Sequence, residues 1–209
     1  DSYGCTVWGT ENCIEILCRL LLTEEQNYSE RFVYNGVGIN PPGADPHRII
    51  EWIRANGLIN QEILPMTATY EEFITPRPLT ESLLSLGKQW GFELKHEWLS
   101  NGGVATHDVI KNTLKFSPLG VAVYAWAQQG DIYVRPQGAK DTHWTVIYGY
   151  EDGKYWKCMD SYDHSLKKLD WNFGFTSIKR FYMRKKEPWE SEKISLFDKI
   201  LNWFINLWK

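Results

Sequence analysis

Gly4-Cys5-Thr6-Val7-Trp8 runs on to Cys13-Ile14-Glu15-Ile16-Leu17-Cys18-Arg19-Leu20-Leu21-Leu22, and this opening stretch decides how the rest of the chain is read. Apolar residues at 7, 8, 14, 17, 18, 21 and 22 keep helical spacing, and those at 16 and 20 widen the stripe almost all round. A helix apolar on so much of its surface is a buried one. Cys5 lies in its first turn, beside backbone N–H groups that have no partner within the helix and at the positive end of the helix dipole. Such a place favours thiolate over thiol, which a cysteine nucleophile needs. By itself it is equally the place of a small buried hydrophobe, the commonest fate of a free cysteine.

A base for that thiol is sought further along. Residues 143–150 and 154–159 read as two strands joined by Glu151-Asp152-Gly153, a hairpin signal. With Asp152-Gly153 as the two turn residues, Thr145 pairs with Asp160 and His143 with Tyr162. All four side chains then share one face. His143 and Asp160 become diagonal neighbours, roughly 5–8 Å apart before side-chain reach. The carboxylate is expected to accept the imidazole Nδ1–H and leave Nε2 to face a thiol, the base-and-orienter arrangement of a catalytic triad. Tyr162 is expected to shield the pair from water.

Working outward, Asp45-Pro46 reads as the cap and first residue of a helix that Asn56-Gly57 stops, and residues 80–90 read as a third helix. Residues 30–34 form a short segment before a breaker-rich loop over 36–43. Residues 58–66 read as extended and 70–74 as one helical turn. From residue 92 the period changes to strands, at 92–99, 120–126, 131–135 and 177–183, with one helix at 107–114. Helices followed by antiparallel strands give an α+β class. The expected organisation is a helical lobe over 1–98, a β-rich lobe over 99–185 and a tail over 186–209.

Composition narrows the function. The chain has 209 residues, 43% hydrophobic, with 11 tryptophans, enough for a real core. A net charge of −3 provides no basic footprint, so nucleic acid is not expected as a partner. Four cysteines, Cys5, Cys13, Cys18 and Cys158, are too few and irregular for a disulfide framework. No zinc spacing occurs, so neither metal nor cofactor is expected. No signal or transmembrane segment is visible from Asp1 onward, which leaves the compartment open. His47, His96, His107 and His164 lack the context of His143 and read as surface or internally satisfied histidines.

The residue order resembles the papain family. Cys5, His143 and Asp160 follow that family's order, with His143 138 positions after Cys5. The cues are Tyr3-Gly4-Cys5-Thr6-Val7-Trp8, His143-Trp144-Thr145-Val146-Ile147-Tyr148-Gly149-Tyr150 and Asp160-Ser161-Tyr162. Pro42-Gly43 ahead of a helix resembles the family's substrate loop. Leu64-Pro65 resembles its Tyr-Pro element, and Pro118-Leu119-Gly120-Val121-Ala122-Val123 its Pro-Val-x-Val-Ala strand. The resemblance spans about residues 1–184 and implies a papain-like fold, with helical and antiparallel β lobes flanking a cleft. It implies a cysteine peptidase in which Cys5 attacks, His143 is base then acid, and Asp160 orients it. Pro42, Gly43, Trp144 and Tyr162 would meet a peptide or protein substrate.

Three departures stand out. Asp160 replaces the usual asparagine, Thr6 the usual tryptophan, and Ser2 a cysteine that commonly forms a disulfide. The family's oxyanion glutamine falls six residues before Cys5, upstream of Asp1, so the second donor is expected there or from Ser2 or Asn12. Two alternatives remain open, a bacteriocin-exporter type of peptidase, which also uses an aspartate, and a catalytically inactive module keeping the fold. Residues 194, 197, 200, 201, 204, 205 and 208 make one apolar stripe, widened by 196, 203 and 207. It is too short to span a bilayer. It is expected to dock on its own domain, on a partner or second copy, or on a membrane surface, through residues 190–209.

Overall fold

Among the described residues, eight strands form one sheet, and the helix that begins at Cys5 packs on the strand that begins at His143. The computed structural model describes residues 3–23, 25–67, 69–75, 77–163 and 165–187. The amphipathic stretch of 190–209 lies outside them, as do Ser2 and His164.

The helices are α1 (Cys5–Leu22), α2 (Glu30–Val37), α3 (Pro46–Asn56), α4 (Tyr70–Ile74), α5 (Glu81–Lys88) and α6 (His107–Leu114). The strands are β1 (Phe92–Asn101), β2 (Leu119–Val123), β3 (Ala127–Gln129), β4 (Ile132–Val134), β5 (His143–Glu151), β6 (Tyr155–Met159), β7 (Leu166–Asp170) and β8 (Ser177–Lys185). Five helices precede the sheet, and the sixth lies between β1 and β2. β1 straddles the boundary expected at 98/99.

Caps account for the helix ends. Ser29, Asp45, Thr69, Thr80 and Thr106 each accept a backbone N–H of the helix they precede. The Ser29 cap turns the expected short segment into α2, which runs through Gly36 and Val37 to a C-cap at Gly38. Residues 58–66 contribute only an isolated bridge from Asn60 to Tyr28 rather than a strand. α1 is buried through Cys18, but Leu20 and Leu21 are exposed, so the all-round burial expected of it ends one turn early.

The sheet order is β1-β8-β2-β5-β6-β7-β4-β3, and among the described residues every strand pairing is antiparallel except β4 with β7, which run parallel through Tyr133 and Leu169. β5 feeds two cores. Val146 joins Val7, Ile14, Phe32, Ile49, Ile50 and Ile53 on the helical side, and Ile147 joins Val121, Trp156, Leu169, Phe173 and Ile178 on the other. Alternation along one strand thus ties both cores to the element that carries His143. No helix among the described residues is long and apolar enough to cross a membrane.

Candidate active site

The hairpin reaches the expected register by an unexpected route. Glu151 pairs with Tyr155 across a three-residue loop, not a two-residue one. A bulge at Tyr148 then slips the ladder by one, so Ile147 faces Cys158 and Val146 faces Met159. The two irregularities cancel, and Thr145 Oγ1 donates to Met159 O at 2.7 Å beside Asp160. His143 Nε2 lies 2.7 Å from Asp160 Oδ1, with both side chains buried.

The imidazole is turned opposite to the sequence expectation. Nε2, not Nδ1, meets Asp160, which follows the last residue of β6. Nδ1 is buried with no hydrogen-bond partner of ordinary geometry among the described residues, and it is the nitrogen left for Cys5.

Cys5 arrives from α1. That helix has no side-chain N-cap and no acidic residue in its first turn, so its dipole and first N–H groups act on the thiol without competition. Gly9 brings the helix close to β5, since a Cβ there would lie 2.7 Å from the Trp144 ring. Burial pushes the Cys5 thiol up. The hydrogen bond and charge of His143, with backbone N–H groups of Trp144 and Thr6, outweigh burial and hold the thiol below its ordinary value. Burial lowers His143, but Asp160 and Cys5 raise it on balance. Burial raises Asp160, and His143 and Lys167 bring it below the usual carboxylate range. All three shifts favour thiolate, imidazolium and carboxylate together. Cys13 and Cys158 go the other way, since burial pushes Cys13 well up and Cys158 up to about 12.

Sequence reasoning missed two neighbours. Asp160 Oδ2 accepts from Trp126 Nε1 at 3.0 Å and from Lys167 Nζ at 3.0 Å. Trp126 also stands edge-on to His143 at 5.7 Å between ring centroids. Residues 120–126 read as one strand, whereas β2 ends at Val123, which frees Trp126 to turn toward the site. Lys167 is in β7, a strand absent from the sequence reading, because Leu166-Lys167-Lys168-Leu169-Asp170 carries no clear alternation.

The four expected substrate contacts fare differently. Tyr162 is 55% exposed and lies over the imidazole at 4.2 Å, as a lid on its outer face. Gly43, at φ +120, sits against Tyr3, whose carbonyl would lie 3.4 Å from an added Cβ, so the Pro42–Gly43 loop borders the start of α1. Pro42 is exposed there. Trp144 is placed differently from the other three. Its side chain points away from His143 and is 3% exposed, packed against Gly9, Gly120 and Trp98. Only its backbone meets Cys5.

His47 and His96 also gain a context the sequence withheld. With Glu51 they bring metal-ligand atoms within 4.8 Å of one another, the one such trio among the described residues. Lys179 Nζ already lies 2.9 Å from His96 Nδ1 and 3.4 Å from His47 Nδ1. An ammonium beside the ligand atoms opposes a second cation, so the cluster does not fit a metal ion.

No protein-family model matches the chain, and no curated protein matches its sequence. Solved structures do match over 88% of the chain. They include a recombinant stem bromelain precursor at 13% identity and TM-score 0.65, and the clostridial cysteine protease Cwp84 at 12% and 0.67. Xylellain, a cysteine protease from Xylella fastidiosa, matches at 15% and 0.65. The chain spans 64%, 53% and 80% of those three structures, respectively. At these identities the likeness is one of fold, and the chain has the α+β fold of papain-like cysteine proteases.

Proposed function

We propose that this chain is a cysteine peptidase that hydrolyses peptide bonds through Cys5, His143 and Asp160. The observation that carries the reading is the buried His143–Asp160 contact at 2.7 Å, with the other ring nitrogen left for a thiol held below its ordinary pKa. The papain-like fold supports it.

In this reading the Cys5 thiolate adds to the scissile carbonyl carbon, forming a C–S bond and an oxyanion. The Cys5 backbone N–H at the start of α1 supplies one donor to that oxyanion. His143 Nδ1–H passes its proton to the leaving nitrogen, the C–N bond breaks, and a thioester remains. Water then adds with His143 as base, releasing the acid and restoring the ion pair. Asp160 holds the ring orientation, and Tyr162 keeps water off its outer face. The Pro42–Gly43 loop borders the substrate, and residues 190–209 carry a separate docking function toward the chain itself, a partner or a membrane.

A fluorogenic peptide library tests this. Wild-type protein should release fluorophore and lose that activity on treatment with a thiol-directed epoxide, while Cys5→Ala should be inactive with unchanged thermal unfolding. A folded wild type that binds peptides without cleaving them would favour the inactive module instead.

A further inference from the structure

We propose that Lys167 is a positioning residue that fixes the Asp160 carboxylate and offsets its charge, so that Asp160 and Lys167 work as one unit. The inference rests on the peptidase reading of the same site and deepens it.

Cys5 thiolate, His143 imidazolium and Asp160 carboxylate sum to one excess negative charge among side chains that are buried or nearly so. An excess negative charge beside the thiolate opposes its formation and opposes the oxyanion that follows. The asparagine usual in the resembling family brings no such charge. Here the aspartate is matched by a lysine, 3% exposed, whose Nζ lies 3.0 Å from Asp160 Oδ2.

The geometry around Lys167 is built to hold it. Nζ donates to Asp163 Oδ1 at 2.6 Å and to Ser165 Oγ at 2.6 Å, and it stands over the rings of Tyr133 at 5.3 Å and Trp126 at 5.6 Å. The titratable groups it faces are Asp160 and Asp163 around the 160–165 turn, Tyr133 on β4 and Cys158 on β6. Through Asp160 it acts on His143 of β5, Cys5 of α1 and Tyr162. Asp163 is 55% exposed at its side chain, so water screens it more than Asp160. The positive charge of Lys167 should lower the apparent pKa of both Cys5 and His143. Removing it should raise both.

The experiment follows two readouts against pH in the whole 209-residue chain, the rate at which iodoacetamide alkylates Cys5 and kcat/KM on a peptide. Lys167→Arg should leave the profile in place. Lys167→Met should move both limbs upward by about one pH unit, the scale of a unit charge acting through an effective dielectric near 20. Asp163→Asn should move them downward by less. Asp160→Asn strands the Lys167 charge, so Asp160→Asn with Lys167→Met should lie nearer the wild-type profile than Asp160→Asn alone. Unmoved limbs in folded Lys167→Met overturn the proposal. If that variant does not fold, Asp163→Asn decides, with a downward shift supporting it and no shift overturning it. Alkylation needs no turnover. A chain that cleaves no peptide yet shows these shifts sinks the peptidase reading and keeps this one.

Discussion

Lys179 offers the sharpest stability test. It is fully buried on β8, bonded to His96 and His47, and 3.9 Å above the centre of the Trp98 ring. Burial pushes its pKa from 10.5 down to about 8, against a partial pull upward from Asp45 and Glu51. Between about pH 8 and 10.5 the unfolded lysine keeps its proton while the folded one sheds it. The unfolded state binds more protons there, so stability rises with pH across that window. Below pH 8 the folded state carries the full penalty, about 3 kcal/mol for a shift of this size. Lys179→Met removes this dependence. Urea unfolding of both proteins at about pH 7 and about pH 9.5 should show the wild type gaining about 2 kcal/mol on the variant. Groups common to both proteins cancel in the comparison. Parallel pH dependences would refute the reasoning and mean that the ammonium is solvated despite its place in the fold.

Two further outcomes follow from buried groups on or near α1. Burial raises Glu15 to about 7, with Glu30 adding to the rise and the Tyr28 N–H opposing it, so its contribution is full at acid pH and lost as pH rises through about 7. Glu15→Gln should therefore flatten the fall in stability between about pH 4.5 and 7, measured by thermal unfolding. For the thiols, mildly acidic iodoacetamide should label Cys5 alone in native protein, with Cys13, Cys18 and Cys158 reacting only after unfolding. Peptide mapping showing native label at any of those three would contradict the thiolate assignment.

The parts of the site legible in the sequence were those set by short-range pattern. The apolar run after Cys5, the Asp45-Pro46 start of α3 and the Gly153 turn each announce themselves within a few residues. The register of β5 on β6 came out right near His143 for a reason the sequence hides, since a longer loop and the Tyr148 bulge offset each other. What stayed illegible was set at long range. The His143–Asp160 contact depends on where the end of β6 falls, and the place of Trp144 depends on the room left by Gly9 and Gly120. Lys167 reads as a surface charge until β7 is paired between β6 and β4. The same holds for His47, His96 and Lys179, which come from α3, β1 and β8 and meet only when the helical elements close on the sheet.

The proposed reaction passes through a covalent acyl intermediate on Cys5. Mixing the chain with an activated peptide ester, quenching in acid and measuring intact mass tests it directly. One acyl group per chain should appear, mapped to Cys5, absent in Cys5→Ala and accumulating more slowly in His143→Ala. Peptide release that persists in Cys5→Ala, or an adduct mapped to any other residue, would contradict it.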